Sequence, residues 1–170
     1  MSSTLEAWQR GPVEGVPPLL MPVAHALIQA REDAERALAG LSADQIWARP
    51  GGAASVGFHV RHLAGALDRL FTYARGESLT DEQRRRIPLE GVPGAPPAGA
   101  AGLLDDLDVM IARALDQVRA TPASMLLDAR GIGRQQLPSN VIGLLFHGAE
   151  HAIRHAGQAI TTARIVKGDG

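Results

Sequence analysis

Val141-Ile-Gly-Leu-Leu-Phe-His-Gly-Ala-Glu-His-Ala-Ile-Arg-His-Ala-Gly-Gln158 is the stretch whose reading decides the fold. Val141, Leu145, Gly148, Ala152 and Ala159 recur at the spacing of one helix face, and no proline interrupts them. The segment therefore reads as a long amphipathic helix. The predicted helix runs from Asn140 to Val166, with Ser139 as its cap. It also carries His147, His151 and His155, four residues apart and then four again. Each step of four turns the helix by about 40°, so all three rings leave from one side. Measured from His151, the apolar stripe centres near about +90°, with His155 at about +40° and His147 at about −40°. His151 and His155 thus lie nearer the core, His147 is turned to the edge, and Glu150 and Arg154 point further away. Two imidazoles one turn apart can grip a single ion, as in the helical zinc motif His-Glu-x-x-His.

Three more long helices are predicted upstream. Leu20, Val23, Ala24, Leu27, Ile28, Ala34 and Leu38 mark a helix over Leu19–Ala39, closed by Gly40. Ser42-Ala-Asp-Gln signals a short helix through Trp47 that Pro50 stops. Ser55 caps a second long helix, Val56–Arg75, and Thr80-Asp-Glu-Gln opens a further helical turn. Gly91 to Gly102, with Pro93, Pro96 and Pro97, is a linker inside the domain. A third long helix follows over Gly102–Ala120, with Leu103, Leu107, Ile111, Leu115 and Val118 inward. Thr121-Pro122 and Gly131-Ile-Gly133 mark a connector with an extended piece near Gln135–Leu137. Gly65, Ala66, Gly148 and Ala152 are small enough for close helix contacts. The pattern predicts an all-α four-helix bundle over residues 19–166, after an irregular segment 1–18 and before a tail 167–170. The connections leave up-and-down and up-down-down-up topologies equally open.

Composition narrows the function. The chain has 170 residues, enough for one core. Lys and Arg number 17 against 18 Asp and Glu, which gives no basic surplus for a phosphate backbone and argues against nucleic acid as a partner. No run approaches the length of a membrane span, and Met1–Arg10 lacks the pattern of a signal peptide, so the expected location is the cytoplasm. With no cysteine, any metal must rely on nitrogen and oxygen ligands.

The second long helix offers His59 and His62, and periodicity does not choose between them; His59 lies, if anything, nearer the stripe. His25 falls on the far side of its own helix. A third imidazole from the second helix, added to His151 and His155, would give a ligand set with open positions. Burying so many rings without an ion would demand polar partners that these stripes do not supply.

Ser55-Val-Gly-Phe-His-Val-Arg-His-Leu-Ala-Gly65, with His151-Ala-Ile-Arg-His155-Ala-Gly-Gln158 and Leu41-Ser-Ala-Asp-Gln-Ile-Trp-Ala-Arg-Pro50, resembles the DinB-like (YfiT-like) superfamily of metalloenzymes. The resemblance spans Leu19 to Arg164. It implies a four-helix bundle of up-down-down-up topology and a homodimer. It also implies a divalent metal held by His62, His151 and His155, the first of which periodicity leaves undecided. Gln158 matches the Gly-Gln element of the family, in a position to orient a ligand or a bound water. Characterised relatives include transferases and isomerases that use low-molecular-weight thiols.

Zinc or nickel, and after them iron, suit such a nitrogen site. A bound ion would polarise a substrate and lower the pKa of a water or thiol. A thiol would have to come from a cosubstrate. His59 and His147 are the candidates for acid–base work in the pocket, while Asp68 points away. The expected function is a metal-dependent enzyme, thiol-dependent transferase-like or hydrolase-like. The alternative is a non-catalytic, metal-stabilised bundle acting as a binding or dimerisation module.

Overall fold

Short polar side chains set where the helices begin. Ser42, Ser55 and Thr80 accept hydrogen bonds from the backbone N–H groups of Gln45, Phe58 and Gln83. Each satisfies a donor that the first turn of a helix leaves without a partner. The computed structural model describes residues 5–168; the outermost residues of the expected leading segment and tail lie outside that range. The helices are α1 (Met21–Leu38), α2 (Ala43–Trp47), α3 (Val56–Ala74), α4 (Asp81–Arg86), α5 (Ala100–Ala120) and α6 (Val141–Lys167). The fold is mostly helical, as expected.

The sequence does not announce one feature. The strands β1 (Ala129–Ile132) and β2 (Leu137–Asn140) pair antiparallel, with Ala129 opposite Asn140 and Ile132 opposite Leu137. An extended piece was expected only near Gln135–Leu137; four-residue strands are too short to display a period of two. The hairpin also corrects the start of the last helix. Ser139 and Asn140 both lie in β2, and Asn140 is the cap, its Oδ1 accepting from the Gly143 N–H at 2.8 Å. Two further donors of that first turn, Val141 N–H and Ile142 N–H, go to the carbonyls of Asp128 and Leu126. Elsewhere the boundaries move by small steps. A 3-10 turn at Pro18–Leu20 delays α1, and Gly99 caps α5 earlier than expected.

Helices α3 and α6 form the most extensive helix pair; α1 also lies on α6, and α5 lies on both α1 and α3. Leu20, Leu27, Leu63, Leu67, Phe71, Leu107, Leu144 and Leu145 fill the space between them and are fully buried. On α5 the buried stripe is Leu103, Leu107, Met110, Ile111, Ala114 and Val118, with Leu115 half-buried at its edge. Gly148 lets α6 come close to α3, since a Cβ there would lie 2.9 Å from the Phe71 ring. His25 has a structural role: its Nε2 pairs with the Gly11 carbonyl at 2.9 Å and ties the leading segment to α1. Among the described residues no helix is long and apolar enough to cross a membrane.

Candidate metal centre

The stripe that buries α6 against α3 also carries histidines inward from both helices. On α3, Ser55 fixes the first turn, and His59 and His62 follow on the side toward α6. On α6, His151 and His155 answer them. The ring centroids of His62 and His155 lie 4.4 Å apart, those of His151 and His155 4.5 Å, and those of His62 and His151 5.1 Å. His62, His151 and His155 each offer a nitrogen within 4.8 Å of the others, so the three together could hold one metal ion. His147 stands at the edge as the rotation argument requires; its side chain is 51% exposed and faces Glu150 at 3.4 Å.

The donor set suits an ion. The Nε2 atoms of His62 and His151 are 3.0 Å apart. Two nitrogens each bound at about 2.1 Å to one ion can stand no more than about 4.2 Å apart, so this pair is within reach of a shared ion. The other nitrogen of the His151 ring, Nδ1, is buried without a hydrogen-bond partner among the described residues, and an ion on Nε2 would leave it so. His155 Nδ1 and His59 Nδ1 lie 3.0 Å apart. When His155 donates that hydrogen bond, its Nε2 lone pair is free for a cation. Phe58 stacks on His62 with centroids 5.2 Å apart and planes 14° from parallel, which fixes the ring from one side.

Electrostatics prepare the rings as ligands. Burial, followed by the neighbouring imidazoles and Arg154, lowers the His155 pKa to about 4. Burial, and then His62, lowers those of His151 and His59 as well. Neutral imidazole is the form that binds metal, so these rings need shed no proton near neutrality.

Sequence reasoning missed one residue altogether. Glu90, from the irregular segment after α4, is buried and places Oε2 2.6 Å from His62 Nδ1. Its Oε1 accepts from Arg69 Nη1, also at 2.6 Å. Burial alone would raise the Glu90 pKa, but the hydrogen bonds from His62 and Arg69 outweigh it and hold the carboxyl below its ordinary value. The only sequence signal is an acid between apolar residues in Ile87-Pro-Leu-Glu-Gly91, and nothing periodic places it. Gly65 has a different role from the helix contact expected of it: a Cβ there would collide with Glu90 Oε1. Gln158 is exposed, and among the described residues no hydrogen bond joins it to the three histidines. It lines a surface pocket of about 570 Å³ with His59, Arg154 and Thr161. Asp68 accepts from Gln83 and steadies α4, away from the centre.

The fold is similar to that of a crystal structure of a conserved protein from Enterococcus faecalis, with a TM-score of 0.71 at 21% identity; the match covers 88% of this chain and 98% of that one. Among curated proteins none matches the sequence. The DinB superfamily matches over residues 26–159, a span that holds Glu90 and all three clustered histidines. The chain belongs to the DinB superfamily.

Proposed function

We propose that this protein is a metal-dependent enzyme whose divalent ion is held by His62, His151 and His155. One observation carries the reading: three imidazoles from two helices converge within 4.8 Å, and among the described residues no fourth histidine or carboxylate joins the group. Three protein ligands leave coordination positions for a substrate, whereas a purely structural site closes with four. Zinc or nickel, with iron next, suits nitrogen donors of this kind. When bound, the ion supplies Lewis acidity that makes a water or thiol nucleophilic near neutral pH.

The chain's own residues do the rest. His155, paired with His59, keeps its second nitrogen turned inward. His147, exposed beside His151, is placed to take a proton from an incoming nucleophile. Because the sequence has no cysteine, a thiol must arrive as a small cosubstrate, and transfer to or from such a thiol is the reaction we favour over simple hydrolysis. In the same reading the four long helices form an up-down-down-up bundle that acts as a homodimer. The long connection over residues 75–99 gives the chain room to return parallel.

Metal analysis of protein made without a histidine tag tests this directly. About one ion per chain is expected, and H151A or H155A should abolish it. A small-molecule thiol panel with the loaded protein tests the chemistry. Native protein that takes up none of zinc, nickel and iron sinks the reading. Loaded protein that turns over no thiol substrate and melts far lower on chelation speaks for a structural ion instead.

A further inference from the structure

We propose that Glu90 is the positioning residue of the metal centre, so that the segment carrying it sets how tightly the three histidines hold their ion. The inference rests on the metal reading above. Its starting point is an anomaly of burial. Glu90 is 5% exposed, while Ile87, Leu89 and Val92 around it are 43%, 53% and 47% exposed. This segment turns its apolar side chains out and its carboxylate in. Glutamate is rarely buried unless paired, because desolvating the charge costs more than most contacts return.

Both carboxylate oxygens are used. Oε2 accepts a hydrogen bond from His62 Nδ1–H and Oε1 accepts one from Arg69 Nη1. With Nδ1 occupied, the neutral ring of His62 must carry its lone pair on Nε2, the atom 3.0 Å from His151 Nε2. The contact therefore selects the tautomer and the ring orientation that a shared ion requires. Phe58 holds one face of the ring, but a stacked ring can still flip; the carboxylate distinguishes one edge from the other.

The surroundings are shaped for this carboxylate. Gly65 leaves the space that Oε1 occupies, and a Cβ there would also lie 2.9 Å from Arg69 Nη1. Arg61 clamps the segment on either side of Glu90, donating to the carbonyls of Leu89 and Val92. Its guanidinium lies 4.5 Å above the Trp47 ring, and the Trp47 Nε1–H reaches the Ala98 carbonyl at 2.8 Å. The connection from α4 to α5 is thus fastened at several points around one inward carboxylate.

The test is competition for zinc between the protein and a chromogenic chelator, with native, E90A, E90Q and G65A proteins. E90A should raise the zinc Kd by about 10- to 100-fold. E90Q, whose amide oxygen can still accept from Nδ1, should fall between E90A and native. G65A, which pushes the carboxylate aside without removing it, should weaken binding in the same direction. Long-range proton–nitrogen correlation on metal-free protein should find His62 protonated at Nδ1 in the native chain and as a tautomer mixture in E90A. A merely stabilising role would lower the melting temperature and leave that tautomer unchanged. If E90A does not fold, E90Q, which keeps the same shape, answers in its place. Equal zinc affinity in native and Glu90-substituted protein, or a native His62 protonated at Nε2, overturns the proposal and leaves the metal reading standing. Absence of zinc, nickel and iron uptake by the native protein overturns both.

Discussion

Gly148 and Gly157 lie on the same helix and answer to opposite demands. At Gly148 an added Cβ would meet the Phe71 ring at 2.9 Å, and Phe71 is itself 1% exposed and cannot retreat. Overpacking of this kind costs about 1–3 kcal/mol, more than the roughly 1 kcal/mol that alanine gains over glycine in a helix. G148A should therefore lower stability in urea unfolding. At Gly157 nothing lies within 4 Å, so G157A should raise stability by up to about 1 kcal/mol in the same measurement. Legibility from sequence divides along a similar line. His151 and His155 follow from rotation about one helix axis, a property of local spacing. His62 does not: His59 is the more buried of the two, and the family pattern had to separate them. Glu90 reaches the site through the path of an aperiodic segment, which no local spacing encodes.

Helix starts were largely legible because a cap is a contact between neighbours in sequence. Ser42, Ser55 and Thr80 all cap where expected. The exception is the start of α6, where two polar residues stand side by side at the end of β2 and only the side chain of Asn140 reaches the Gly143 N–H. Asn140 makes the bond to Gly143, so N140A should cost about 1 kcal/mol, while S139A should leave the midpoint of thermal unfolding nearly unchanged. Equal effects of the two substitutions would contradict the assignment. The β1–β2 hairpin itself escaped sequence reading, since its strands owe their pairing to each other and to the helix that follows.

Across the molecule, α1 and α5 are tied by Arg31, whose Nε and Nη2 meet Asp108 Oδ1 and Oδ2 at 2.7 and 3.0 Å. The hydrogen bond from Arg31 lowers the Asp108 pKa, against the opposing effect of burial. A carboxyl lowered on folding stabilises the native state above its unfolded pKa of about 3.9, and the benefit is lost as pH falls through the folded value. The Asp108 side chain is 46% exposed, so solvent screening limits the pair to about 1 kcal/mol or less. D108N should lower the melting temperature slightly at pH 7, and the gap to native protein should close in strong acid. A gap that persists there would assign the effect to packing. The helical class and the order of the long helices could be read from periodicity, whereas Glu90, which meets His62, comes from a segment with none. The hairpin has one more consequence. Because β2 ends on the residue that caps α6, and two backbone bonds from Val141 and Ile142 reach residues 126–128, the strand pair works as an index stop for the helix. One residue inserted between Asn140 and Val141 would turn everything beyond it by about 100° against that stop. It would set the strand pair against the aliphatic stripe over where His151 and His155 point. An insertion at the exposed tip around Arg134 and Gln135 would leave the setting untouched.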